Sequence, residues 1–228
     1  MPNTKKVDWI NDEANVEYWD EYYKKAAMQE ESTFCKYVKK QLDKNAIVLD
    51  IGCGSGRDTF SFAKDGYEVV GIDRSKEVIK INRNTKEEKF STSKLDFHVV
   101  DLSDERTLND ILESTSRKAI SEDKSLVVYL RFLLHSINEK TEEILLRTIS
   151  KHVPTGCYFA AEFRTVEDYG RDKVYDDHYR RFIDAEDLVS NLESKYNFSK
   201  IDFIKGTGLS VYKNEDPYLA RILMKKSK

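Results

Sequence analysis

Asp50-Ile51-Gly52-Cys53-Gly54-Ser55-Gly56 is the stretch of this 228-residue chain whose residue types and spacing could hold a ligand through backbone alone. Three glycines at alternate positions let the chain turn tightly and come close to a bound molecule that any Cβ would hold off. The dinucleotide pattern G-x-G-x-x-G would need a glycine at position 57, which is Arg57, and no G-K-[ST] follows to make a phosphate loop. An apolar run leads into the loop and a helical pattern leaves it, the setting in which a strand end meets a ligand. Gly71-Ile72-Asp73 closes the next apolar run, and Asp73 stands 21 positions after Gly52, near the spacing of about 20 at which such folds place a ribose-binding acid. One carboxylate can accept hydrogen bonds from both vicinal hydroxyls. Asp73 also reads as an ordinary acid at a helix start beside Ser75.

The elements that must position these residues alternate. Runs 46–51, 67–72, 95–100, 125–130 and 157–163 are short and rich in Val, Ile, Leu and aromatics, as strands buried on both faces require. Helical patterns fill the gaps: 57–66, ended by Gly66; one opened by Ser75; one from Ser103 with Leu108, Ile111 and Leu112; 140–153; and 184–195, with Asp184 and Asp187 placed as a cap. Runs 200–206 and 218–224 read as an antiparallel pair finishing the sheet. Residues 8–44 read as helical, with Trp9, Trp19, Tyr22, Tyr23, Phe34 and Val38 as apolar content. The expectation is an α/β Rossmann-like three-layer sandwich of one domain over 1–228. It has a helical cap at 1–45, a ligand-binding core at 46–165, and a substrate loop, last helix and strand pair at 166–228.

The D-x-G-x-G-x-G loop resembles motif I of class I S-adenosylmethionine-dependent methyltransferases. The resemblance implies S-adenosylmethionine as cofactor, S-adenosylhomocysteine as product, and a seven-stranded, mostly parallel sheet with an antiparallel last strand. It assigns Asp50, Gly52, Cys53, Gly54 and Gly56 to the cofactor loop, and Asp73 with Arg74 to the ribose end. Asp101 falls to the adenine amino group and the amide of Leu102 to the ring, although Asp101 also reads as a cap for the helix near Ser103. Tyr129, at the end of the fourth strand, is placed with the cofactor contacts. An N-terminal helix commonly covers the cofactor in this fold, so Trp19, Tyr22 and Tyr23 are expected to shield the sulfonium, whose charge suits their ring faces.

Around the fourth and fifth strands the sequence resembles small-molecule methyltransferases with an R-x-x-x-H segment, here Arg131 and His135, a P-x-G turn, here Pro154-Thr155-Gly156, and a strand ending in Glu162. There is no [DN]-P-P-[YFW] and no acid suited to a magnesium-dependent enzyme, so no metal is expected. His135 is the natural general base for a hydroxyl acceptor because its ordinary pKa lies near neutrality, unless it only packs at the strand–helix junction. Glu162 could take that role or balance Arg131 or Arg164. His98 reads as a core histidine and His152 as a helix-end partner. Arg131, Arg164, His178, Arg180 and Arg181 fall where loops meet at one rim, which suggests an anionic acceptor. Neighbouring acids such as Glu162, Glu167 and Asp168 could instead neutralise them. Asp177-His178-Tyr179-Arg180-Arg181-Phe182 resembles methyltransferases of bacterial surface-polysaccharide clusters.

Composition narrows the classes. Nine glycines, three prolines and 35% charged residues describe a compact, well-solvated protein, not a linker or fibre. Neither a membrane span nor a secretory leader is visible in the sequence, so a cytoplasmic location is expected. A net charge of -3 offers nucleic acid or membrane no global attraction. Cys35, Cys53 and Cys157 read as buried thiols. A regulator that binds the cofactor without turnover, and a nicotinamide-dependent reductase weakened by Arg57, are the other readings. Oligomeric state is not readable from the sequence.

Overall fold

The computed structural model describes residues 30–171, 173 and 179–228. Seven strands make one sheet: β1 (Ala46–Ile51), β2 (Glu68–Asp73), β3 (Leu95–Val99), β4 (Ser125–Arg131), β5 (Tyr158–Arg164), β6 (Phe198–Gly206) and β7 (Leu219–Lys226), in the order β3-β2-β1-β4-β5-β7-β6. The pairs among β1 to β5 are parallel, and β7 runs antiparallel to both β5 and β6. The strand order reverses at β1/β4, so the carboxyl ends of those strands open the crevice where such sheets bind ligands.

Six helices among the described residues cover the sheet: α1 (Thr33–Lys39), α2 (Arg57–Lys64), α3 (Lys76–Lys89), α4 (Glu105–Ser121), α5 (Glu139–His152) and α6 (Ala185–Ser194). One face packs Phe34 and Val38 of α1, Phe60 and Phe62 of α2, and Val78 and Ile79 of α3 against Val48, Val69 and Val127. The other packs Leu108, Leu112, Leu145, Ile149, Leu188 and Leu192 of α4 to α6 against Ile47, Leu49, Val128 and Phe159. The strands between are doubly buried, which is why they read as continuous apolar runs. No helix of the described residues is long and apolar enough to cross a membrane.

Local caps explain the helix starts. Ser75 accepts from Val78 N and Asp184 from Asp187 N, as the sequence suggests. The cap of α4 is Asp104, not the region of Ser103, and that of α5 is Asn138. His98 is no core residue: β3 is an edge strand, and the imidazole is 41% exposed, 3.6 Å from Asp96. All three cysteines are buried. Of the region 8–44 expected to be helical, the structure describes only residues from 30 onward, and among these α1 is helical.

Candidate active site

The glycine loop joins β1 to α2 with Gly52, Gly54 and Gly56 at φ of 75°, 50° and 73°. These left-handed angles suit glycine and strain other residues. Packing adds a second reason at two of them. A Cβ on Gly52 would lie 2.9 Å from Leu133 Cδ1, and one on Gly56 would lie 2.6 Å from the Phe60 ring. The amides of Gly52 and Cys53 both donate to Ile72 O, at 2.8 and 3.0 Å, so the loop is pinned to the end of β2.

Asp73 completes that pinning. Its Oδ2 accepts from Gly54 N and its Oδ1 from Ser75 N, each at 3.0 Å. Burial raises its pKa above the ordinary carboxylate range, with these amides opposing the rise. A carboxylate has about four lone-pair sites, more than these two amides occupy. Asn82, buried on α3, donates to Gly54 O at 2.8 Å. The half-buried Arg74 follows Asp73 at the end of β2.

Asp50 lies beneath the loop, fully buried, with the Thr59 hydroxyl donating to it at 2.6 Å. Burial pushes its carboxyl up to about 7; the carboxylates of Asp58 and Asp73 add to the rise, while Thr59 and Arg131 oppose it. Asp101 is exposed and accepts from the amide and hydroxyl of Ser103 at 2.8 and 2.7 Å, closing a turn; it does not cap α4, whose cap is Asp104. Leu102 is buried beside it in the core.

A second cluster lies across β4, β5 and β7. Glu162 is wholly buried; Arg131 Nε approaches it at 3.2 Å, Arg221 Nε donates to it at 2.6 Å and the Ser210 hydroxyl at 3.0 Å. Arg131 Nε is also 3.9 Å from Asp58 Oδ2. Asp58 is buried too, receiving the Ser32 amide at 2.8 Å and the hydroxyls of Ser32 and Tyr129 at 2.7 Å. Burial opposes charge on Arg131, but the carboxylates of Glu162 and Asp58 more than offset it and hold the guanidinium charged. Arg221 continues the cluster, donating to the Thr33 hydroxyl and to Leu209 O at 2.7 Å.

Several assignments change in this geometry. Tyr129 is buried between Phe34 and Phe62 with its hydroxyl spent on Asp58, so it supports the site from beneath and does not line it. His135 is buried, and its Nδ1 accepts from Arg164 N at 3.2 Å, so that nitrogen is engaged within the fold. Glu162 balances Arg131 and Arg221, not Arg164. Arg164 is buried in ion pairs with Asp168 and Glu215. Arg181 binds the carbonyls of Ile137 and Leu134 and pairs with Glu142. Arg180 is half-buried beside it. Arg164 and Arg181 are thereby taken out of the expected rim of cations. Trp19, Tyr22, Tyr23 and His178 lie outside the described residues. Among the described residues no three His, Cys, Asp or Glu side chains gather as a metal-binding group.

Asp58, Ser32, Ser210, Arg221 and Phe132 were not singled out by the sequence reasoning. Asp58 sits in the first turn of α2, where an acid is ordinary. Arg221 did carry a signal, as a lone cation within the apolar run of β7.

A family model described as "Methyltransferase domain" matches residues 42–162, from before β1 to Glu162. No curated protein sequence matches the chain. A SAM-dependent methyltransferase from Methanosarcina mazei superposes with a TM-score of 0.62 at 17% identity, covering 84% of this chain and 97% of its own. The 1,6-didemethyltoxoflavin-N1-methyltransferase of Burkholderia thailandensis, solved with its acceptor and S-adenosylhomocysteine, gives 0.64 at 17%, covering 97% and 86%. The [4+2]-cyclase SpnF gives 0.64 at 14%, covering 89% and 85%. At such identities the likeness is one of fold.

Proposed function

The chain belongs to the methyltransferase-domain family, and from that premise we propose that it transfers a methyl group from S-adenosylmethionine to a small molecule. One observation carries the reading: the left-handed glycine loop and the Asp73 carboxylate, tied by the 3.0 Å bond from Gly54 N, stand together at the carboxyl ends of β1 and β2. When bound, the cofactor supplies a methyl group activated by its sulfonium. The residues present fit it: glycines clear the backbone approach, Asp73 keeps lone pairs for the ribose, Asp101 is exposed at the adenine end, and the buried Asp50 supports the loop from beneath.

In-line methyl transfer needs no acid on the leaving thioether, so the chain mainly aligns the partners. His135 Nδ1 and the Glu162 carboxylate are both engaged within the fold, so the site suits an acceptor that needs no proton removed before the transfer, a free amine or an ionised oxygen. We take the acceptor to be an anionic metabolite held near Arg131. A surface-polysaccharide intermediate is the narrower candidate, resting on the sequence around Arg180 alone. The engagement of both groups within the fold also favours a second reading, a chain that binds the cofactor without turnover. Calorimetry with S-adenosylmethionine, followed by S-adenosylhomocysteine release over a panel of amine, carboxylate and phosphate acceptors, separates the two. Binding with release supports the enzyme, binding with no release on any acceptor supports the regulator, and no binding overturns both.

A further inference from the structure

Phe132 follows Arg131 at the end of β4 with a φ of 57°, a left-handed conformation that a bulky residue adopts at a cost and that marks sites where the surroundings enforce it. The enforcement is visible. Its amide donates to Glu162 O at 2.8 Å, and the next residue, Leu133, packs directly against the glycine loop at Gly52. The strain decides where the ring goes. The guanidinium carbon of Arg131 lies 4.4 Å from the centre of the Phe132 ring, and the ring meets His135 at 5.4 Å, steeply tilted.

Arg131 is thus held on two sides, by the Phe132 ring and by Glu162 and Asp58 at Nε. Its Nη1 and Nη2 make no hydrogen bond to a described residue, and the side chain is 20% exposed. We propose that Arg131 recognises a single carboxylate on the acceptor through that fork, and that Phe132 is a positioning residue that fixes the guanidinium plane for it. The proposal rests on the methyl-transfer reading, which makes the crevice beside the glycine loop the acceptor's place. A planar fork anchored through Nε presents two parallel donors, the match for a carboxylate. Charge selects among anions. Arg131 and Arg221 together balance Glu162 and Asp58, so a monoanion adds one negative charge to a neutral cluster, whereas a phosphate dianion would add two beside Glu162 and Asp58.

The test uses the full chain saturated with S-adenosylhomocysteine and titrated calorimetrically with benzoate, benzamide and phenyl phosphate. Benzoate is expected to bind at least about tenfold tighter than either competitor. Arg131→Gln is expected to abolish that preference. Phe132→Asn, whose new residue tolerates the left-handed backbone, should weaken benzoate about tenfold with thermal stability kept or raised, and Phe132→Tyr should restore binding. Benzamide binding as well as benzoate, phenyl phosphate binding better, or unchanged benzoate affinity in Phe132→Asn would each overturn the proposal. Failure of S-adenosylhomocysteine itself to bind would overturn the methyl-transfer reading instead, so the two failures are distinguishable.

Discussion

From Gly52 to Asp73 the functional atoms come from two neighbouring strand ends and the loop between them, all within one β-α-β unit. The cluster around Glu162 instead gathers Arg131 from β4, Arg221 from β7, Ser210 from the β6–β7 loop and, through Asp58, Ser32 from before α1. The first region is made of backbone turns and one acid; the second of buried charges that exist only because several distant segments arrive together. A backbone cradle tolerates loss of any one hydrogen bond, whereas a buried ion cluster left with an unmatched charge does not.

The largest effect is therefore expected in the second region. Arg221→Met removes one of the two guanidiniums on a carboxylate with no solvent exposure, and deleting one partner of a buried pair costs about 3–5 kcal/mol. Arg131 remains, so the lower end is expected, about 3 kcal/mol in denaturant unfolding. Arg221→Met with Glu162→Gln should recover part of the loss. A double variant no better than the single would mean that Glu162 carries little charge of its own.

The first region should respond in binding. Asp73→Ala removes the acceptor of Gly54 N and Ser75 N together with the ribose-facing lone pairs, a loss of about 2–4 kcal/mol in cofactor affinity. Unchanged affinity by calorimetry would remove the ribose assignment and with it the contrast between the two regions.

Much of the first region is legible in the sequence because its determinants are local. The glycine spacing, the acid 21 positions on, and the alternation of apolar runs with caps at Ser75 and Asp184 all stand within short windows. The strand pair at the carboxyl terminus was legible for the same reason. The cluster was not: Arg131 and Glu162 could be named, but their partners Arg221, Ser210 and Asp58 are fixed by β7 inserting antiparallel beside β5, which no local pattern encodes. Two of the arginines expected to share a rim, Arg164 and Arg181, are instead neutralised inside the fold by Asp168, Glu215 and Glu142, partners that only the folded chain brings to them.

Asp50 links the two regions through pH. Its folded pKa of about 7 lies above the ordinary carboxylate range, so the native state holds a proton that the unfolded chain has lost between about pH 4 and 7. Its contribution to stability is full below the unfolded pKa and is lost as pH rises through the folded one. The slope approaches about 1.4 kcal/mol per pH unit within that window. Asp50→Asn should flatten this part of the stability profile; identical profiles for the two proteins would show that Asp50 titrates normally.

The smallest effect separates a cap from a link. Ser32 and Asp184 are both helix N-caps, accepting from Cys35 N and Asp187 N, and each changed to Ala should lose about 1 kcal/mol for the cap alone. Asp184 is exposed and touches neither region, so its loss should end there and leave cofactor affinity unchanged. Ser32 is buried, and its hydroxyl also donates to Asp58 at 2.7 Å, so Ser32→Ala strips a hydrogen-bond donor from a carboxylate that faces Arg131. An under-solvated Asp58 draws Arg131 toward itself and away from Glu162. Ser32→Ala should therefore cost about 1 kcal/mol more than Asp184→Ala, and a double cycle with Asp58→Asn should show most of that excess vanish. Equal losses in the two cap variants, additive with Asp58→Asn, would mean that the segment before α1 only starts a helix and plays no part in the charge cluster.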